Sequence, residues 1–507
     1  MPKHLRKGIS KKPQRRKLPR RYPLGLETLQ RDAAALYSFI DSISAHAYED
    51  RRSAQHLDPS KEFFAYVREL GDGTKAYLNT FASNAPKDQR LYQDYRQKLE
   101  TIRSTWFELH ELIKPAVDAD TLSIPYTLIE ALTRRLGQIA GFEKTGFAIF
   151  HFDELNYLEM PVSEIKRITD RLERIIPDPP GFPDKVGVIG IPYSQSSSIY
   201  LNCLISHEMG HFVFGKLRLK NSLLPELEKN LQKALGASFG TVSFDDLGLL
   251  KDRLDSWAEE IFCDLFAIWL IGPCYSLTYV ELFGLTTILD PTKSSGFKAT
   301  AGSTVFSRSH PADLFRLNQQ VLLLQKLGWW EETRKIKSHY VDVLRSATAI
   351  GIGEFRTNQN NLSTETLNAF FALCPSIMKL VTEVMKDLAA KPLESGLDEY
   401  RKLGDPIGYY IGQAIVPSTV FVAGDHWYPG TVSLLNASMK YYLESLEKLM
   451  NGIEGQKTSL AGHRSRWIKR LESLVGKALE DHHLLVGEKG AVPVGGTFKR
   501  ADLRSLK

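Results

Sequence analysis

IYLNCLISHEMGHFVF, residues 199–214, decides how this chain is read. Outside the pentad His207-Glu208-Met209-Gly210-His211 every residue in it is uncharged. A helix that is apolar on all sides is a buried one, so the stretch predicts a buried helix. Ser196 to Ser198 can cap it, and it ends near Phe214 with a stop at Gly215. On such a helix His207 and His211 share a face, with β-carbons about 5–6 Å apart. Two imidazoles at that spacing can reach one zinc ion at about 2.0–2.1 Å each. Glu208 follows the first histidine directly and points aside, placed to exchange a proton with a water rather than to ligate. Gly210 costs a helix interior about 1 kcal/mol, which predicts the close approach of another element there.

A catalytic zinc site needs a third protein ligand and an open fourth position. The stretch WAEEIFCDLFA, residues 257–267, supplies one. Glu260 and Asp264 stand four apart on a helix that is otherwise apolar, and burying a lone carboxylate is expensive. Glu260 as ligand, with Asp264 accepting a hydrogen bond from a ligand imidazole, satisfies both. Glu259 is the weaker ligand choice, because its partner one turn on is Cys263. The expectation is one Zn2+ per chain on His207, His211 and Glu260. Further along, FSRSHPADLFR (306–316) carries His310-Pro311 and Arg316.

HExxH followed by E-x-x-small-D on a later helix resembles the gluzincin zinc metallopeptidases. Glu260, Cys263, Asp264 and Ala267 match the second pattern, with Glu260 forty-nine residues after His211. His310-Pro311 with Arg316 is similar to the HPP-x-x-x-R segment of the HtpX-like and CAAX-processing branch, departing from it at Ala312. The resemblance spans Val186 to Leu317. It implies a metalloendopeptidase in which Glu208 is general base and acid on a metal-activated water, with a peptide or protein as substrate. In that mechanism His310 first, then Arg316, are the candidates for a donor to the developing oxyanion or for orienting the site. It also implies an edge strand that pairs with extended substrate. KVGVIGIPY (185–193) suits that role, since Pro192 fits an edge better than a centre. The Gly- and Ser-rich segment from Asp290 to Ser309 is placed to act as a flap. The membrane helices of that branch are not expected. Leu265 to Val280 is uncharged but only sixteen residues long and broken at Gly272-Pro273, where a spanning helix needs about 20.

Outward from the site the chain reads as mainly α with a small mixed β-sheet, a zincin-like core flanked by helical regions. FAIFHF (147–152) suits a strand. Ser163 opens a helix with Ile165, Ile168, Leu172 and Ile175 on one face, and the breakers PDPPGFP (177–183) end it. Helical stripes run through Leu36, Phe39, Ile40 and Ile43, and through Tyr92, Tyr95, Leu99, Ile102, Trp106 and Leu109. Others run through Ile377, Leu380, Val381, Val384 and Leu388, and through Leu435, Met439, Tyr442, Leu446 and Leu449. The expected divisions are a basic disordered tail (1–22), a helical N-terminal region (23–141), the peptidase core (142–330), a helical C-terminal region (331–485) and a loose tail (486–507). His426 and the His482-His483 pair lack spaced partners and read as surface or packing residues.

Hydrophobic residues at 43% and charged residues at 24% predict a sizeable core. Ten Lys or Arg fall within residues 3–21, and without them the formal +6 becomes −4. The body is therefore no polycation, and the arm alone suits nucleic acid or another anionic surface. The basic start is not followed by an apolar secretory segment. The four cysteines form no CxxC pair, so a reducing cytoplasm is the expected compartment. The competing reading is a peptidase-like binding or regulatory protein without turnover, associated with nucleic acid through the arm. A Glu208→Gln variant separates the two.

Overall fold

In the computed structural model the described residues are 22–49, 58–83, 89–118, 126–152, 158–160, 162–183, 185–192, 198–236, 244–280, 310–311, 313–339, 364–386, 396–451, 460–489 and 497–498. The basic arm and the Asp290–Ser309 segment lie outside them. The elements begin with α1 (Tyr22–Glu49), α2 (Asp58–Ser83), α3 (Gln89–Asp118) and α4 (Tyr126–Leu136). There follow β1 (Gly146–Phe152), β2 (Leu158–Met160), α5 (Val162–Glu173) and β3 (Val186–Pro192). A 3-10 turn (Leu201–Leu204) leads into α6 (Ile205–Lys216), then α7 (Lys220–Leu235), α8 (Phe244–Ile271) and a short helix α9 (273–280). Next are α10 (Asp313–Lys326), α11 (Trp330–His339), α12 (Thr364–Val384) and α13 (Leu397–Gly412). β4 (Val420–Val422), β5 (Asp425–Trp427), α14 (Thr431–Asn451), α15 (Leu460–Lys489) and β6 (Thr497–Phe498) complete the chain. Helix accounts for 77% of the described residues, so the protein is mainly α with small sheets.

The chain falls into two compact units. The first comprises 1–51, 64–117 and 165–182; the second comprises 52–63, 118–164 and 183–507. These units do not coincide with cuts at 142 and 330, because α4 and the helices after 396 pack with residues of the 142–330 segment in one core. In the first unit Leu36 and Ile40 are buried, as are Leu99, Ile102, Trp106 and Leu109. Trp106 donates its indole N–H to Thr74 at 3.2 Å. The stripes read from the sequence are thus the apolar faces of these helices.

The second unit contains the sheet β1-β3-β2. β1 runs parallel to β3, from Gly146 opposite Val186 to Phe152 opposite Pro192. β2 runs antiparallel to β3, with Leu158 opposite Gly190 and Met160 opposite Val188. β3 is therefore central, and the edge position expected for it belongs to β2. Proline did not forbid a central place, because β2 covers β3 only from Val188 to Gly190 and Pro192 lies past the end of that ladder. A second sheet, β4-β5-β6, was not foreseen. No helix among the described residues is long and apolar enough to cross a membrane.

Candidate metal centre

The site is built where α6 meets α8. Ser198 accepts the Leu201 N–H at 3.3 Å and caps the 3-10 turn that leads into α6. α6 continues through Gly215 and ends at Lys216. The left-handed residue is Arg218, at φ 52°, and Leu219 donates its N–H to the Phe214 carbonyl at 3.1 Å to close the end. Ile205, Met209, Phe212, Val213 and Phe214 are buried, as the all-round apolar sequence requires. Gly210 meets Cys263: a β-carbon at Gly210 would stand 2.8 Å from the Cys263 Cα. Gly210 stands three residues after His207, and Cys263 three residues after Glu260. The backbones thereby come close enough for α8 carboxylates to reach α6 imidazoles.

Each imidazole is anchored from behind. His207 Nδ1 stands 3.0 Å from Asp264 Oδ1 and 3.2 Å from the Tyr275 hydroxyl. His211 Nδ1 stands 2.8 Å from Glu259 Oε1. With each Nδ1–H donated to a carboxylate, both Nε2 lone pairs face forward. They face Glu260. His207 Nε2 lies 3.4 Å from its Oε2 and His211 Nε2 lies 3.6 Å from its Oε1. Donors bonded tetrahedrally at about 2.0–2.1 Å stand about 3.3 Å apart, so His207, His211 and Glu260 fit one zinc ion. Cys263 offers a rival third donor, with its sulfur and one nitrogen of each imidazole all within 4.8 Å of one another. Glu260 approaches the two nitrogens with different oxygens, Oε2 toward His207 and Oε1 toward His211, and Cys263 approaches both with its one sulfur.

The anchors are themselves held. Asp264 is wholly buried, and accepts from Arg316 Nε at 2.7 Å, Arg316 Nη2 at 2.8 Å and the Tyr275 hydroxyl at 2.6 Å. Arg316 Nη2 also stands 3.1 Å from Glu260 Oε2, without the alignment of a hydrogen bond. Its guanidinium lies over the Tyr279 ring, 5.2 Å from the centroid. At 5% exposure, with donors committed to Asp264, Arg316 orients the site. It is not placed to donate to a substrate. His310 is different: its side chain is 49% exposed and its Nε2 stands 3.3 Å from Glu260 Oε1. Glu208 is buried at the first turn of α6.

Charge follows from this arrangement. Burial disfavours a charged His207, yet Asp264 and Glu260 lift its pKa to about 10. Burial likewise works against ionised Glu260 and Asp264, but Arg316 and His207 hold both well below the usual carboxylate range. Burial lowers the His310 pKa, opposed by Glu260 and reinforced by Arg316.

The sequence reading brought together His207, His211, Glu260, Asp264, His310 and Arg316, and these do converge. It missed Glu259 as the partner of His211, and it missed Tyr275. Tyr275 reaches the site because the chain turns at Gly272 (φ 74°) after α8. Asn436 holds that turn by donating to the Ile271 carbonyl and accepting the Cys274 N–H, each at 2.7 Å. His426 packs against Phe421 and His482 is buried. Comparison of the chain with protein-family models, curated proteins and solved structures finds no match.

Proposed function

We propose that this protein is a zinc-dependent metallopeptidase, hydrolysing peptide bonds with zinc on His207, His211 and Glu260 and with Glu208 as general base and acid. One observation carries the reading. Two Nε2 atoms face one carboxylate at 3.4 and 3.6 Å, each imidazole backed by its own acid. The local field supports it. Glu208, Glu259, Glu260 and Asp264 outnumber Arg316, and the field that keeps a proton on His207 up to about pH 10 favours a divalent cation in its place. The motif resemblance to the gluzincins points the same way.

Zinc, when bound, supplies Lewis acidity toward a carbonyl and a water acidified to a pKa of about 7. Glu208 would hold the proton released by the attacking water and pass it to the departing amine. His310, exposed beside Glu260, donates to the developing oxyanion. Asp264, Tyr275 and Glu259 fix the imidazole tautomers, and Arg316 fixes Asp264. An extended peptide adds to the outer edge of β2, which packs beside α6. This gives β2 the role the sequence reading had assigned to the strand at 185–193.

The test is zinc stoichiometry in purified wild type and Glu260→Ala, followed by peptide hydrolysis by wild type and Glu208→Gln. One zinc per chain is expected, lost or much weakened in Glu260→Ala. Glu208→Gln is expected to keep its zinc and lose about 10²–10⁴ in rate. A wild type without zinc under chelator-free conditions ends the peptidase reading. Zinc without turnover, unchanged in Glu208→Gln, replaces it with a peptidase-like binding protein.

A further inference from the structure

Cys263 occupies a position that its packing role does not exhaust. It lies on the same face of α8 as Glu260, three residues on, and is wholly buried against Gly210 between the two histidines. Its sulfur and one nitrogen of each imidazole are within 4.8 Å of one another. A sulfur at about 2.3 Å and a nitrogen at about 2.0–2.1 Å from one tetrahedral ion stand about 3.6 Å apart. The thiol therefore needs a displacement of only about 1 Å to ligate, within the reach of a side-chain rotation that leaves both helices in place. The carboxylate it would replace has other partners ready. Glu260 already stands 3.1 Å from Arg316 Nη2 and 3.3 Å from His310 Nε2.

We infer that the centre carries two interchangeable third donors, and that a thiophilic ion such as Cd2+ is held by His207, His211 and the Cys263 thiolate instead of Glu260. The inference rests on the metal-centre reading above. Softness selects the donor: thiolate sulfur prefers soft ions, carboxylate oxygen hard ones, and zinc is borderline. As the sulfur–metal bond forms the S–H bond breaks and its proton leaves to solvent, with no change in oxidation state. The site thus discriminates between ions by which residue of one helical turn it offers them.

Metal-depleted full-length protein is titrated with Cd2+, reading both stoichiometry by equilibrium dialysis and the ultraviolet sulfur-to-cadmium charge-transfer band. Wild type and Glu260→Ala are expected to bind one Cd2+ per chain with the band present. Cys263→Ser loses the band and at least about tenfold in Cd2+ affinity, while still binding zinc. His211→Ala also loses the band, which separates this thiolate from the Cys203–Cys274 pair, whose sulfurs lie 3.7 Å apart. One Cd2+ per chain without the band, or a band that survives Cys263→Ser or His211→Ala, overturns the donor exchange and leaves a centre on Glu260 standing. Failure of both Cd2+ and Zn2+ to bind at one per chain overturns the centre itself, and this inference with it.

Discussion

Replacing Asp264 by Asn keeps the volume of a wholly buried side chain and removes its charge. Oδ1 accepts from the Tyr275 hydroxyl at 2.6 Å and Arg316 Nη2 at 2.8 Å, and stands 3.0 Å from His207 Nδ1. Oδ2 accepts from Arg316 Nε at 2.7 Å. Every partner is a donor, so either orientation of the asparagine sets its NH2 against another donor. The milder orientation sacrifices the Oδ2 bond, a charge-assisted contact of about 1.5–3 kcal/mol. Arg316 is then left buried with Glu260 as its remaining acid, and breaking a buried pair by removing one partner costs about 3–5 kcal/mol. The metal-free variant should lose about that much unfolding free energy in urea denaturation followed by circular dichroism. Its zinc affinity should fall about 10–100-fold, because the acceptor behind His207 is weakened. Asp405→Asn, at a carboxylate 88% exposed beside Lys440, is the control and should not move the midpoint. An Asp264→Asn midpoint equal to that of the control would refute the reasoning, since a wholly buried ion cluster cannot lose a charge without consequence.

Four further outcomes can be checked. Gly210→Ala sets a methyl 2.8 Å from the Cys263 Cα; overpacking of about 1–3 kcal/mol outweighs the helix-propensity gain of about 1. Thermal unfolding should show a net loss and zinc titration a weaker site, whereas a gain in stability would mean that α6 and α8 stand further apart. His207, raised to about 10 when metal-free, contributes stability that is whole below its unfolded value of about 6.5 and is lost as pH rises through about 10. Metal-free protein should therefore weaken over that alkaline range. Zinc at neutral pH should displace close to one proton per ion from His207, counted by calorimetry in buffers of different ionisation enthalpy; zero protons would contradict the assignment. All four cysteines are free and buried, so a bulky aromatic disulfide should label none in the native protein and four after denaturation.

Most of the helical frame was legible because burial leaves a periodic trace. Leu99, Ile102, Trp106 and Leu109 are buried where the 3-4 spacing places them, and so are Ile377, Val381, Leu435 and Met439. The stripe members Ile43, Leu388, Leu446 and Leu449 fall outside the residues whose side chains are described. Gly210 signalled a close approach through its cost to helix formation, and the structure sets Cys263 there. β2 left no such trace: Leu158-Glu-Met160 is three residues long, too short for alternation to register. Missing it turned β3 into an edge strand on the strength of Pro192, although a proline's lost N–H bears only on the ladder at its own position.

α8 showed which acids it carries, while their division of labour depended on the crossing of two helices. Spacing along α8 says that Glu260 and Asp264 share a face. It says nothing of Glu259, which meets His211 only because α6 passes beside it. Tyr275 hid in an uncharged stretch, where the one clue was a hydroxyl that burial obliges to find a partner. A different argument would have recovered Glu259. Two imidazoles that ligate one ion through Nε2 each carry an N–H at Nδ1, and a buried donor needs an acceptor. An HExxH pair therefore asks the facing helix for one ligand and two acceptors. Within residues 257–267 α8 holds three acids, Glu259, Glu260 and Asp264, and the structure uses one between the histidines and one behind each. The number of acids on the second helix, matched to the number of nitrogens on the first, points to the whole arrangement where the i, i+4 rule points to two thirds of it.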